Sequence, residues 1–321
     1  MRVIANDENI KLAGSIIKKG GLVAFPTETV YGLGADALNP YAVAKIFEVK
    51  NRPKFDPLIV HISKFNWLEK LTEKIDEQAL KLIEKFWPGP LTLVLPKSEI
   101  VPDIVTAGLK SVAIRMPSHP VALALIDSAE TPISAPSANP FGYISPTTAD
   151  HVEKQLGDKI DLILDGGKCP IGVESTVLSL LDEPTILRPG GLPIEEIEKV
   201  IGKVKIQTKS EKILSPGQLQ THYSPRTPVK IFSSIEEILD KRIENAGILL
   251  FKKYDFEVKA KHVEILSEKG DLVEAASNLF SALHRLDEAG VDVIYAQEVP
   301  EVGLGIAIMD RLRKASGKKI E

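Results

Sequence analysis

The 321-residue chain has one cysteine, Cys169, so no disulfide can close within it and no cysteine-ligated zinc site can form. A lone thiol fits a reducing compartment. Long apolar runs are missing as well. Stretches such as Val121 to Ile126 fall far short of the roughly 20 residues that span a bilayer. The opening MRVIANDENIKLAG lacks the apolar core of a signal peptide, and a cytoplasmic protein without membrane contact is expected. There is no excess of basic charge either. With 40 Lys and Arg against 44 Asp and Glu, the formal charge of −4 argues against a chain whose main task is to hold nucleic acid by counterion release. No G-x-x-x-x-G-K-[ST] loop, H-E-x-x-H helix or G-x-S-x-G elbow occurs, and the six histidines are too scattered for a zinc cluster. Gly32-Leu33-Gly34-Ala35-Asp36-Ala37 fits the loose dinucleotide fingerprint G-x-G-x-x-A. It is separated from the preceding strand pattern LVAF by PTETVY, away from the strand-to-helix turn where pyrophosphate would sit.

What is present is an α/β pattern. Ile10, Ala13, Ile16 and Ile17 share one helical face over 7–19, with Asp7 able to cap the start. Helices are also expected at 40–50, opened by Pro40, and at 76–86, 119–129 and 148–156. Strands are expected in LVAF (22–25), PLIVHI (57–62), LTLVLP, SVAIRMP, PISAPSA, LILDGG, STVLSLL and TILRPG. Several strands follow one another with no helix between, which argues against a regular parallel winding. These elements fill one domain over 1–203. Residues 204–228, with three prolines and no sustained periodicity, read as a linker. Residues 229–321 read as a smaller α/β domain, with strands in VKIFSS, AGILLF, VEIL and VDVIYAQ and helices at 235–244, 271–288 and 304–315.

Four polar clusters fall at strand ends of the first domain. They are Pro26 to Gly34 (PTETVYGLG), Lys50-Asn51-Arg52-Pro53 ahead of the strand carrying His61, Ser134 to Asn139 with Ser145 to Thr148, and Glu174 to Val177 followed by Arg188-Pro189-Gly190. Each alone has a bland reading: a turn, a helix cap at Thr147 or Thr148, a satisfied core histidine, or an edge-strand charge at Arg115. Together, Lys50, Arg52, Arg115 and Arg188 among hydroxyls suit a polyanion beside a small polar molecule, because guanidinium forks match phosphate and carboxylate oxygens. No strong general-base pair stands out, so the chemistry expected is positioning and charge neutralisation. Cys169 reads as inert, and Arg311-Leu312-Arg313-Lys314 as a solvated helix face rather than a tRNA contact.

In this order, PTETVYGLG, KNRP with PLIVH, TAGL, SVAIRMP, SAPSAN, STV and LRPG resemble the YrdC-like threonylcarbamoyl-AMP synthase family. SPGQLQTHYSP and the C-terminal array resemble its long, two-domain form. The resemblance implies an open, twisted mixed sheet with helices around a concave cavity, plus a smaller C-terminal α/β domain of alternating strands and helices. It implies that L-threonine, bicarbonate or CO2, and ATP give threonylcarbamoyl-AMP and pyrophosphate, a nucleotidyl transfer. A separate transferase complex would then modify the adenosine next to the anticodon of tRNA.

The family pattern puts threonine at Thr29, His61, Arg115, Ala135 (through its backbone) and Ser175. It puts ATP at Lys50, Arg52, Asp56, Thr106, Ser137, Asn139, Ser145 and Arg188, with His222 and Tyr223 of the linker folded over the nucleotide. Lys50 and Arg52 are the catalytic cations in this scheme. Magnesium accompanies ATP, its protein ligands unassigned, and no tightly bound organic cofactor is implied. Asp56 departs from the family, which commonly has Asn there, and an acid beside a triphosphate needs neutralising. The competing reading is an RNA-binding module that uses the same cavity. It is opposed by the acidic balance and by the lack of aromatics interleaved with basic residues.

Overall fold

In this computed structural model the described residues are 1–207, 214–217, 223–239, 244–256 and 258–317. The first strand, β1 (Arg2–Ile4), leads into α1 (Asp7–Lys18), which is capped by Asn6 rather than Asp7. The Asn6 side chain accepts from the Asn9 amide at 2.8 Å, and Asp7 lies in the first turn, where its charge complements the helix dipole. After β2 (Val23–Phe25), β3 (Gly32–Asp36) runs antiparallel to it, so the glycine motif is a strand and not a strand-to-helix turn. The helix α2 (Pro40–Lys50) starts on an Asn39 cap with Pro40 in its first turn and stops at Asn51 in the left-handed region, φ 51°.

Next come β4 (Ile59–His61), α3 (Phe65–Leu71), α4 (Glu77–Phe86), β5 (Leu91–Pro96), α5 (Asp103–Thr106), β6 (Ser111–Arg115), α6 (Pro120–Ala129) and β7 (Ile133–Ser134). The PISAPSA segment contributes only the two residues of β7. α7 (Ala149–Leu156), capped by Thr148, precedes β8 (Leu162–Asp165), β9 (Thr176–Ser179), β10 (Thr185–Arg188), α8 (Ile194–Ile201) and the edge strand β11 (Lys205–Ile206).

These strands make one mixed sheet of eleven, ordered β1-β8-β2-β3-β7-β4-β6-β5-β9-β10-β11. The mixed winding matches the run of strands without intervening helices. Both faces of the sheet are covered. Ala13 and Ile17 of α1 and Ala122, Leu125 and Ile126 of α6 pack on Val23, Phe25, Leu162 and Leu164, while α2, α4, α7 and α8 cover the other face.

The remaining elements are β12 (Val229–Phe232), α9 (Glu236–Leu239), β13 (Ala246–Lys252), β14 (His262–Ser267), α10 (Leu272–Glu288), β15 (Val293–Gln297) and α11 (Leu304–Ala315). They build a parallel sheet ordered β12-β15-β13-β14. The helix expected over 235–244 is described only to Leu239.

One apolar cluster joins the two parts of the molecule: Leu279, Phe280 and Leu283 of α10 and Ile308 and Leu312 of α11 pack with Val30, Ile144 and Val173. Burial of side chains of this size stabilises by about 1.5–3 kcal/mol each. At the contact, Gly172 has φ +78°, and a Cβ there would lie 2.5 Å from the Ala276 carbonyl oxygen, so only glycine allows this approach. Polar pairs frame the patch: Thr147 with Ser281 at 2.9 Å and Lys154 with Glu288 at 2.7 Å. The imidazoles of His151 and His284 stack at 4.0 Å. Among the described residues, no helix is long and apolar enough to cross a membrane.

Candidate active site

Strand ends and the loops after them converge on one cleft of about 520 Å³, its open mouth included. Thr27, Thr29 and Val30 come from the loop between β2 and β3, His61 from the end of β4, and Arg115 from the end of β6. Ala135, Pro136 and Ser137 follow β7, Ser175 precedes β9, and Arg188 ends β10. Pro216, Gly217 and Tyr223, from the segment expected to be a linker, complete the wall. Pro26 and Pro189 directly follow β2 and β10, while past Pro136 the chain still bridges β3, Ser137 pairing with Gly32.

The five positions expected to take threonine all line this cleft. Arg115 is held on three sides: Nη2 donates to Glu28 at 2.6 Å, Nη1 to the Thr29 hydroxyl at 3.0 Å, and Nε to the Gly89 carbonyl at 3.2 Å. Glu28 in turn accepts from the Ser118 amide at 3.1 Å, and Thr27 and Thr29 share a hydroxyl contact at 2.8 Å. The guanidinium therefore has a fixed orientation before any ligand arrives. Burial, and then the Arg115 charge, hold the His61 imidazole down at about 3, so it is neutral at physiological pH.

The positions expected to take ATP divide into two groups. Arg52, Ser137, Arg188 and Tyr223 line the cleft. Arg188 donates to the Ser175 carbonyl at 2.9 Å and its hydroxyl at 3.2 Å, and to the Pro216 carbonyl at 3.3 Å. Arg52 pairs with Asp56 at 2.9 Å, donates to the carbonyls of Asp56 and Pro57, and lies 5.8 Å from the Phe141 ring centre. Asp56 is thus neutralised within the protein. Arg52, buried and ion-paired, has a packing role as well as an electrostatic one, and its removal strands the carboxylate.

Lys50, Asp56, Thr106, Asn139 and Ser145 are not part of the wall. Lys50 is buried and donates to the carbonyls of Ser137 and Asn139, so it ties down the loop after β7. Burial, and then the Arg52 charge, lower its pKa well below the usual lysine value. The Thr106 hydroxyl is turned to the Leu109 carbonyl at 3.1 Å, and Asn139 donates to the carbonyls of Pro140 and Tyr143. Ser145 donates to Glu174. His222 lies outside the described residues.

Glu28 and Glu174 fall within the polar clusters of the sequence but were given no role there, and Arg311 was expected on a solvated helix face. Arg311 of α11 is fully buried, pairs with Glu174 at 2.9 Å, and sits 4.9 Å from the Tyr223 ring centre. Lys314 is buried too and donates to the Gly217 carbonyl at 2.7 Å. The expectation of a solvated basic face is therefore wrong for Arg311 and Lys314. Only Arg313 fits it, part-exposed and paired with Glu301. The available signal was periodic: Arg311 adjoins Ile308 and Leu312 on the apolar side of the helix.

No group of three or more metal-ligating side chains occurs among the described residues. Glu28, Asp56 and Glu174 are each paired with an arginine. This donor set does not fit a metal held by the protein alone. Cys169 is buried, and burial raises its thiol pKa, so it is unreactive.

A family model described as Sua5_yciO_yrdC, telomere recombination, matches residues 15–190. A second, described as threonylcarbamoyl-AMP synthase, C-terminal domain, matches 192–317. The chain is 51% identical to the threonylcarbamoyl-AMP synthase of Pyrococcus abyssi, over 97% of this chain and 95% of that one. It is 45% identical to the Bacillus subtilis threonylcarbamoyl-AMP synthase, over 98% and 95%. The crystal structure of Pyrococcus abyssi Sua5 complexed with L-threonine superposes with a TM-score of 0.92 at 46% identity, covering 99% of this chain and 97% of that one.

Proposed function

The chain belongs to the Sua5_yciO_yrdC family, and from that premise we propose that it makes threonylcarbamoyl-AMP and pyrophosphate from L-threonine, bicarbonate or CO2, and ATP. It is a nucleotidyltransferase that supplies the threonylcarbamoyladenosine modification of tRNA. The observation that carries this reading is the single cleft in which the oriented Arg115 fork and the Arg188 and Arg52 guanidinium groups face one space among hydroxyls.

In the proposed site Arg115 takes the threonine carboxylate, while Thr29, Ser175, His61 and the Ala135 backbone surround the rest of the amino acid. The free amine adds to CO2, forming the C–N bond of a carbamate as one C=O π bond opens and an N–H proton leaves to water. A carbamate oxygen then bonds to the α-phosphorus of ATP as the bond to pyrophosphate breaks. Arg52 and Arg188 offset charge on the leaving group, and Lys50 acts through the loop that carries Ser137. Magnesium travels with ATP as part of the substrate and supplies further neutralisation of the phosphates. Holding three reactants in register supplies most of the acceleration, an effect worth roughly 7–11 kcal/mol in well-oriented systems.

The proposal divides the chain at 1–203, 204–228 and 229–321, with the middle segment closing over the nucleotide and excluding water from a labile mixed anhydride. Pro216, Gly217 and Tyr223 in the cleft wall support that role. A cytoplasmic location and hand-over of the product to a tRNA threonylcarbamoyl transferase complex complete the reading. The test supplies ATP, bicarbonate and each amino acid in turn and measures pyrophosphate. Release that depends on threonine supports it, and release indifferent to the amino acid contradicts it.

A further inference from the structure

Glu174 and Arg311 have no part among the ligands above, yet both are buried against them. One Glu174 oxygen accepts from the Ser145 hydroxyl and the other from Arg311 Nε at 2.9 Å. Arg311 reaches this point from α11, 137 residues further along the chain. Its Nη1 donates to the Pro189 carbonyl at 2.9 Å, next to Arg188, and to Asp310 at 2.6 Å. The Tyr223 ring lies against its guanidinium. One turn on, Lys314 pairs with Asp310 at 2.8 Å and fixes the Gly217 carbonyl. A carboxylate lining a cleft meant for a triphosphate would repel its ligand unless a cation is committed to it. Burial alone would push the Glu174 carboxyl up. Arg311 and Arg188, helped by the Ser145 hydroxyl, hold it below the usual carboxylate range, so it stays charged and needs its partner.

We infer that Arg311 is a positioning residue for the nucleotide, contributed by the C-terminal α/β part: it neutralises Glu174, fixes the Ser145 hydroxyl through it, and seats the Tyr223 ring at the cleft. The nucleotide half of the site is then incomplete until α11 is docked, which gives the C-terminal part a chemical task. This rests on the ATP-dependent reading above.

The test compares wild type, Arg311→Met, Arg311→Lys and the pair Arg311→Met/Glu174→Gln in threonine-dependent pyrophosphate release, with KM for ATP and for threonine measured separately. Arg311→Met raises the ATP KM by roughly 30-fold, the low end of what truncating one member of a buried charge pair costs. The threonine KM stays within about threefold, since Arg115 is untouched. The double variant, with no stranded charge, recovers most of the loss, and Arg311→Lys falls between. It also keeps the test decisive if Arg311→Met fails to fold. An ATP KM unchanged in Arg311→Met, equal rises in both KM values, or a double variant no better than the single overturns the inference. A wild type without threonine-dependent release removes the ATP reading itself, and this inference with it.

Discussion

Replacing Glu28 by Gln separates the stabilising and ligand-binding duties of Arg115. The two side chains meet at 2.6 Å with 4% and 7% of their surfaces exposed, so the pair is buried on both sides. Removing one charge of such a pair usually costs about 3–5 kcal/mol, because the other is left uncompensated. Glutamine keeps an oxygen for Arg115, and the Thr29 and Gly89 contacts remain, which points to the low end, about 3 kcal/mol. At about 2–4 °C per kcal/mol for chains somewhat smaller than this one, Tm falls by about 6–12 °C. Threonine should then do more for the variant than for wild type, since its carboxylate supplies the missing charge. Ligand at a hundredfold excess over Kd returns about 2.7 kcal/mol. Thermal unfolding of both proteins across a threonine series measures this. A variant as stable as wild type, or one protected less by threonine, refutes the reasoning.

Arg52→Met alone strands Asp56 and lowers stability. Arg52→Met with Asp56→Asn restores most of the stability but not the ATP-dependent turnover, and a double variant active within a few-fold of wild type counts against Arg52 in the site. Acid titration exposes the buried histidines: His61 and His151 are held at about 3 and His284 at about 4, chiefly by burial, against 6.5 in the unfolded chain. Folded values below unfolded ones mean stability that is complete above pH 6.5 and lost as pH falls toward 4. The loss approaches about 4 kcal/mol per pH unit for three such groups, and an unfolding midpoint in denaturant flat from pH 7 to 5 contradicts it. Deleting residues 211–226 should change both product formation and product release, and unchanged rates would remove the gating role of that segment.

Local patterns were legible where one chain segment decides the outcome. Helices α2 and α11 fall on their expected ranges because proline, caps and periodicity act within a few residues. The strand β3 was hidden because Gly32 and Gly34 break the usual β-rich composition. A Cβ on Gly34 would lie 2.8 Å from both Phe25 and Ile133, so the sheet itself demands glycine there. In the site, the hydroxyls and cations were readable as polar clusters at strand ends, but their partners were not. Glu28 meets Arg115 across 87 residues and Glu174 meets Arg311 across 137, distances over which spacing carries no information. The same limit hid the partners of Lys50, whose ammonium donates to two carbonyls of a loop that only the fold brings near.

The most direct measurement is the mass of the nucleotide formed from ATP, L-threonine and carbon-13 bicarbonate. A threonylcarbamoyl-AMP that is heavier by the one labelled carbon, formed together with pyrophosphate, is the expected result. AMP or ADP as the sole nucleotide product, with no adduct carrying the label, would contradict the account.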